Sequence, residues 1–329
     1  MKKLFLALFL AVLAFTTACA SSKDVTHSSA FAVEGEKVYS PTFTGCFLLY
    51  LLAPDRLAGW SGRLLDHEKE YIPQQYQDIP VIGGWREGQP IDKELIIKHR
   101  IKKAFVIGDP ERPDDRVEDL KKLGMDVLII PADRIEDYVP LLRELGRQMG
   151  IPERGEELAS FGDEMLTKTR AMVMDIPEDE KASVYPGHGP VGLNGMCSLD
   201  ALDIAGGKNA IQCQIGSHQQ LSFEQVMTLD PDTIIITNPA GRVVMDDPKW
   251  HRLRAYKEGR IYVVPFGPFG WMHMPEITRF MGTPWLACKL YPGKCAIDIE
   301  AETRRFYELF MHTSLSDAQL HEILYRYGK

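Results

Sequence analysis

The sequence predicts an α/β protein with two Rossmann-like lobes, joined by a long connecting helix and followed by a C-terminal helical extension. The lobes are predicted because apolar runs of strand length alternate with amphipathic stretches of helical period in both halves of the chain. The connector is predicted because the middle of the chain has apolar residues at helical spacing and no strand pattern. The predicted order is signal peptide 1–20, polar leader 21–36, N-terminal lobe 37–135, connector 136–178, C-terminal lobe 179–296 and C-terminal helices 297–329.

The N-terminal lobe is predicted from a strand, a helix and a second strand. The run Lys103–Gly108 is apolar and ends in glycine, as a buried parallel strand does. Val117 and Leu120 then recur at helical spacing, and Gly124 occupies the position of a C-terminal cap. Val127–Ile130 resumes the strand pattern, which completes a βαβ unit.

The second lobe repeats this order. A helix around Phe223 leads into the predicted strand Thr233–Thr237, and Arg260–Val264 supplies another strand. Pro152 must begin a new helix within the connector, because a proline ring disrupts a helix interior. Ser316 and Gln319 have capping-box spacing, which predicts that a final helix begins there.

The N-terminus indicates export. Lys2 and Lys3 precede the apolar run Leu4–Phe15, which is shorter than the roughly 20 residues that span a bilayer and is typical of a signal peptide. Two cleavage patterns remain open: Ala18-x-Ala20 suits ordinary signal peptidase, and Cys19 after Ala18 suits lipidation. We therefore expect the chain in the periplasm or on the outer face of the cytoplasmic membrane.

The net charge indicates which kinds of partner to expect, and the cysteine positions indicate which disulfides to expect. A formal net charge of −8 with scattered basic residues argues against nucleic acid, so we expect small molecules or proteins as partners and a monomeric chain. In an oxidising compartment, Cys288 and Cys295 flank a short turn and predict a local disulfide. Cys197 and Cys213 form the next possible pair, which leaves Cys46 unpaired within an apolar run.

Three motifs in order carry a resemblance to a known family. The segment Gln220–Ile236, with Ser222-Phe-Glu-Gln and Pro231-Asp, resembles the helix, turn and strand of periplasmic solute-binding proteins of iron-siderophore and cobalamin ABC importers. Asp247–Pro265 and Gly206–Asn209 are similar to the flanking segments of that family, and weaker similarity extends from about Tyr39 to Pro292. The resemblance implies two lobes with a rigid helical connector, a shallow cleft between them, little closure on binding and delivery of a metal chelate to a membrane permease. It also implies that Glu224, with Glu94 as its counterpart, contacts the permease.

Candidate ligand residues share one position: they lie in loops that follow predicted strands, where ligands of α/β lobes bind. Trp85 beside Arg86 suits a planar anionic chelate through stacking and charge-assisted hydrogen bonds. His273 is also a candidate for direct metal contact, because Met and His suit nickel, copper or cobalt. The alternative interpretation for each residue is a solvated loop or, for Trp271, an aromatic packed on its own lobe. The full set is Trp85, Arg86, His188, Asn194, Asn238, Arg242, Trp271 and His273.

These observations predict a binding protein with no intrinsic cofactor, whose ligand is an iron-siderophore, haem, cobalamin or nickel complex. The sequence has no His-Glu-x-x-His, no Cys-x-x-Cys and no nucleophile elbow, which disfavours the common hydrolase and zinc-enzyme classes. The alternative is a secreted metal-dependent enzyme or chelatase on a related fold, using His188 and His273.

Overall fold

The computed structural model describes residues 30–85, 89–112, 114–189, 191–197, 199–212, 218–238 and 246–326. The predicted signal peptide with Cys19 lies outside these ranges, as do Arg86, Cys213 and Arg242. Within them, no helix is both long enough and apolar enough to cross a membrane.

The N-terminal lobe is built on a parallel sheet in the order β1-β2-β3, formed by β1 (Val38–Tyr39), β2 (Lys103–Ile107) and β3 (Asp126–Ile130). Its central strand is buried on both faces, which explains the continuous apolar run in the sequence. Gly124 has a φ of +79° and ends the helix before β3, as predicted. The helices of this lobe are α1 (Phe43–Leu52), α2 (Asp66–Lys69), α3 (Gln74–Gln77), α4 (Lys93–Lys98) and α5 (Asp115–Lys122).

The connector consists of two helices, α6 (Tyr138–Gln148) and α7 (Pro152–Val173). Pro152 occupies the first turn of α7, where its missing N–H costs no hydrogen bond. The helices cross closely because Gly146 of α6 faces Gly155 of α7: a Cβ added at Gly146 would lie 2.7 Å from the Cα of Gly155. The connector therefore has a tightly packed elbow.

The C-terminal lobe has a mixed sheet in the order β7-β5-β4-β8-β9, with β6 paired to β4. Its strands are β4 (Ser183–His188), β5 (Asn194–Met196), β6 (Lys208–Asn209), β7 (His218–Gln220), β8 (Thr233–Ile236) and β9 (Ile261–Val263). Its helices are α8 (Asp200–Ile204), α9 (Phe223–Leu229) and α10 (Arg254–Lys257). Strand β4 is longer than predicted: it continues through Pro186-Gly187-His188, which the sequence interpretation placed in a loop, because His188 pairs with Asn194 of β5.

Three further helices complete the chain: α11 (Arg279–Leu290), α12 (Ile299–Phe310) and α13 (Asp317–Tyr325). Cys288 at the end of α11 and Cys295 form the predicted disulfide. Cys197 is also disulfide-bonded, and Cys46 is a free, buried thiol. The capping box at Ser316 and Gln319 begins α13, as the sequence predicts.

The segment from α12 to α13, here called the C-terminal strap, contacts the N-terminal lobe, the connector and α11. Its Phe310 packs on Phe161 of the connector and on Phe280 of α11. The carbonyl oxygen of Met311 accepts a hydrogen bond of 2.8 Å from the Tyr50 hydroxyl in the N-terminal lobe. The strap therefore joins both lobes to the connector.

The end of the predicted polar leader belongs to the fold. Phe31 and Ala32 are buried, and their N–H groups donate to the side chain and the backbone of Gln148 in α6. The last part of the predicted leader is therefore anchored on the connector through Phe31 and Ala32.

Candidate functional site

The lobes face each other across a cleft of about 1650 Å³. It opens where β2, β4 and β8 end, which is the edge at which ligands of α/β lobes bind. One wall belongs to the N-terminal lobe and the other to the C-terminal lobe. The residues considered below that line it are Phe43, His67, Trp85, Arg112, Asp114, Arg116, His188, Thr237, Asn238, Phe266, Phe269, His273 and Met274.

The C-terminal wall carries a pair of imidazoles. The rings of His188 and His273 are stacked, with centroids 4.8 Å apart and planes 5° from parallel. Nδ1 of His188 lies 2.8 Å from the hydroxyl of Thr237, which follows β8 and is buried. This contact fixes the orientation of the His188 ring, so that Nε2 is the nitrogen left for other contacts.

Both imidazoles are held in the neutral form. Burial, with smaller contributions from His273 and His218, lowers the pKa of His188 to about 4. Burial and the nearby Arg279 also lower the pKa of His273. A neutral imidazole keeps a lone pair for a metal or an acceptor site for a hydrogen bond, so this wall offers nitrogen donors at neutral pH.

The N-terminal wall is charged and carries the half-buried ring of Trp85. The guanidinium of Arg116 lies 4.4 Å from the centroid of Trp85, a cation–π contact. The carboxylate of Asp114 accepts hydrogen bonds from Arg116, which lower the pKa of Asp114. Trp85 is thus held beside the guanidinium of Arg116, whereas Arg86, the predicted neighbour of the ring, lies outside the described residues.

An aromatic cluster forms the floor between the walls. Phe43 at the start of α1 meets Phe269 edge to face at 5.4 Å, which joins the lobes by an apolar contact. His67 packs against Phe266 with centroids 5.4 Å apart. The cleft therefore has an apolar base, nitrogen donors on one side and charges on the other.

The structure brings together four of the predicted residues: Trp85, His188, Asn238 and His273 all line the cleft. Two predicted residues do not line it. Trp271 is 1% exposed and belongs to the hydrophobic core, so its assignment to the ligand surface is wrong. Asn194 pairs with His188 within the sheet and does not line the cleft, so it is also removed from the ligand set.

Sequence reasoning missed several cleft residues. The loop after β2, which includes Arg112, lies at a strand end like the other candidate loops, and the same rule would have selected it. Thr237 was recognised as the end of a strand but not as the partner of His188. Arg116 lies on the exposed face of α5, where nothing in the sequence distinguishes it from other solvated charges.

Comparison with known proteins identifies the fold. The pattern of a family described as periplasmic binding protein matches residues 105–267, from β2 to the loop that follows β9. The chain belongs to the periplasmic binding protein family. Periplasmic binding proteins of this kind are substrate-binding proteins.

Two relatives illustrate the similarity. This periplasmic binding protein is 27% identical over 191 residues to the molybdate-binding protein of Haemophilus influenzae, a match that covers 55% of this chain and 53% of that protein. It is 26% identical over 185 residues to the vitamin B12-binding protein of Salmonella typhi, covering 55% of this chain and 67% of that protein. The first match therefore spans about half the length of the relative.

A solved structure covers more of the chain. The ABC transporter solute binding protein from Sulfurospirillum deleyianum superposes with a TM-score of 0.79 at 28% identity, covering 87% of this chain and 93% of that chain. The similarity therefore includes both lobes and the connector of this periplasmic binding protein.

Two exposed glutamates hold equivalent positions in the two lobes. Glu94 is the second residue of α4 after the N-cap Asp92, and Glu224 is the second residue of α9 after the N-cap Ser222. Each helix leads into a strand that lies between two parallel neighbours, β2 after α4 and β8 after α9, so its first turn lies toward the edge at which these strands end. Glu94 and Glu224 therefore occupy corresponding positions at the starts of these two helices.

Proposed function

We propose that this periplasmic binding protein captures a metal chelate outside the cytoplasmic membrane and delivers it to an ABC import permease. The observation that carries the proposal is the pair of stacked, neutral imidazoles on one wall of a large cleft between two lobes. Charge on the opposite wall and the aromatic floor suit a ligand with polar and apolar parts.

The size of the cleft supports a large ligand. Typical small-molecule pockets have volumes of about 300–1,000 Å³, and this cleft exceeds them at about 1650 Å³. The relatives include a molybdate-binding and a vitamin B12-binding protein, which differ greatly in ligand size. We propose that the ligand of this chain is closer in size to vitamin B12 than to molybdate, and that it is a haem, corrinoid, siderophore or nickel complex.

The donor atoms in the cleft favour some metals over others. Imidazole nitrogen and thioether sulfur suit nickel, cobalt, copper or haem iron, whereas ferric ion in a siderophore prefers oxygen. His273 and His188 offer nitrogen, and Met274 is 47% exposed beside them. We propose that the chelator supplies most of the ligands and that His273 reaches an open position on the metal.

The binding function differs from that of a chelatase by its stoichiometry. A binding protein saturates at one equivalent and returns its ligand unchanged, whereas a chelatase releases product beyond one equivalent. Incubation with excess chelate, followed by mass spectrometry of the released ligand, distinguishes the two. Product beyond one equivalent that disappears in His273→Ala would favour the enzyme.

The fluorescence of Trp85 can be used to measure ligand binding. All five tryptophans lie within the described residues, and Trp85 is the one that lines the cleft, whereas the other four are at most 4% exposed. Titration with nickel(II) citrate, haemin, cyanocobalamin and a ferric hydroxamate siderophore should therefore give saturable quenching with one of them. The Trp85→Phe variant should lose this signal.

The imidazole pair has a matched control. His188→Ala should weaken binding of the quenching ligand, while His251→Ala should not, because His251 stacks on Tyr256 away from the cleft. If none of the four probes changes the Trp85 signal and calorimetry detects no binding, the metal-chelate assignment is wrong. Equal effects of both histidine variants would remove His188 from the site.

We also propose how the loaded protein meets its permease. Glu94 and Glu224 are exposed on separate lobes and hold the same helical position, which suits a two-point contact with basic residues of a two-fold symmetric membrane protein. Such charges mainly speed and orient the encounter. Export through the predicted signal peptide, with or without a lipid on Cys19, would put the protein where this contact occurs.

A further inference from the structure

One carboxylate next to the cleft joins the C-terminal wall to the N-terminal lobe and the connector. Oε2 of Glu276 accepts a hydrogen bond of 3.0 Å from the hydroxyl of Thr44 in α1 and another of 3.2 Å from the hydroxyl of Tyr138 in α6. Glu276 lies three residues after His273, which belongs to the C-terminal wall. Thr44 follows Phe43, which lines the cleft from the N-terminal lobe. A single side chain thus ties the two walls together.

A buried ion pair anchors the same segment from its other end. Nη1 of Arg279 lies 3.0 Å from Oδ1 of Asp200, and the two side chains are only 14% and 7% exposed. The Asp200 carboxylate also accepts the N–H of Ile135, where the chain leaves the N-terminal lobe. Breaking a buried pair by removing one partner is strongly destabilising, so the start of α11 is held firmly in place.

The backbone between the anchors is stiffened by its own hydrogen bonds. The N–H of His273 donates to the carbonyl of Gly270 over 3.2 Å. The buried hydroxyl of Thr278 lies within hydrogen-bond distance of the same carbonyl and of the carbonyl of Pro275. A displacement of the Glu276 side chain would therefore also displace the His273 imidazole.

We infer that Glu276 is a positioning residue of the cleft: its bonds to Thr44 and Tyr138 set the separation of the two walls and thereby the size of chelate that reaches His273. The inference rests on the proposed binding function. A carboxylate acceptor makes these bonds stronger than neutral ones. Loss of the tie leaves His273 in the protein but allows its wall to move away from the opposite lobe.

Affinity measurements test the inference with the probe that saturates the Trp85 signal. Glu276→Ala and Thr44→Val should each weaken binding about tenfold, the usual effect of losing a hydrogen bond to a charged group. Glu276→Gln keeps an acceptor oxygen but loses the charge, so it should weaken binding less than Glu276→Ala does. The matched control is Glu300→Ala, because Glu300 accepts from the Tyr325 hydroxyl in the strap, away from the cleft.

A double-mutant cycle separates positioning from general stability. If Glu276 acts through His273, Glu276→Ala should cost no further affinity in the His273→Ala background. Full additivity of the two losses would overturn the inference. A fall in melting temperature with unchanged affinity would also overturn it.

The wall separation can be measured without any ligand. Spin labels on Lys121→Cys and Lys257→Cys, which are exposed on opposite lobes, report the distance between the lobes by pulsed electron resonance. Cys46 is 1% exposed and so protected from labelling. Glu276→Ala and Thr44→Val should broaden the distance distribution, whereas Glu276→Gln and Glu300→Ala should not. An unchanged distance distribution in Glu276→Ala refutes the proposed role of the Glu276 hydrogen bonds, even if no probe binds. If the distribution broadens but none of the probes binds, only the proposed ligand class is refuted.

Discussion

The connector elbow allows a sharp test of how closely the helices pack. A Cβ added at Gly155 would lie 2.6 Å from the carbonyl oxygen of Leu142 and 3.0 Å from the Cα of Gly146. Both are backbone atoms, which no side-chain rotation can move. Alanine in a helix is favoured over glycine by about 1 kcal/mol, but overpacking costs about 1–3 kcal/mol. Because the contact is with backbone, we take the upper end of the overpacking cost and expect Gly155→Ala to lower the free energy of unfolding by about 2 kcal/mol.

Guanidinium chloride unfolding followed by circular dichroism measures this loss. Gly293→Ala is the matched control, because nothing lies within 4 Å of its added Cβ, and it should change stability by no more than about 0.5 kcal/mol. Gly146→Ala should destabilise in the same way, and the two changes should not add, since the sites face each other. A Gly155→Ala protein as stable as wild type would refute the reasoning that the elbow is closed by backbone contact.

Two further predictions concern charge. The pKa of His188 falls from its ordinary 6.5 to about 4 in the folded chain, so the unfolded chain binds the proton more readily. The free energy of unfolding should therefore be highest above about pH 6.5 and fall toward pH 4. In unfolding measured between these pH values, His188→Asn should reduce that slope. Glu94→Ala and Glu224→Ala should leave ligand affinity unchanged but reduce uptake through the cognate permease, most of all together, whereas Glu180→Ala, exposed just before β4 and so at the opposite edge, should not. Normal uptake by the double variant would exclude the docking role, and loss of ligand binding in Glu224→Ala would do the same.

The elements with strong local signals were predictable from the sequence. Strands β2 and β8 are short apolar runs, Pro152 marks the start of α7, and Ser316 with Gln319 begins α13. In each case the pattern that decides the structure lies within a few residues, because periodicity, proline geometry and capping are local properties. The two-lobe fold with its connector was therefore correctly predicted.

The site was predictable in position but not in all its members. Strand ends locate the cleft, which is why His188 and His273 were found. Trp271 was misassigned because an apolar loop has the same composition whether it faces a ligand or a core. Trp271 is buried in a core that includes Tyr307 of the strap, with which it is hydrogen-bonded, and Tyr307 follows it in the chain by a whole helix and a disulfide. Such tertiary cover leaves no trace in the local sequence.

The C-terminal strap also determines when the N-terminal lobe finishes folding. The Tyr50 hydroxyl donates to the carbonyl of Met311, a partner 261 residues later in the chain. Tyr71 likewise packs on Tyr307 of the strap, with ring centroids 5.7 Å apart. During synthesis Tyr50 and Tyr71 leave the ribosome early. The residues that they contact in the strap are made only near the end of the polypeptide. Contacts of such long sequence separation are slow to form, so the N-terminal lobe completes its packing against the strap only after nearly the whole chain has been made.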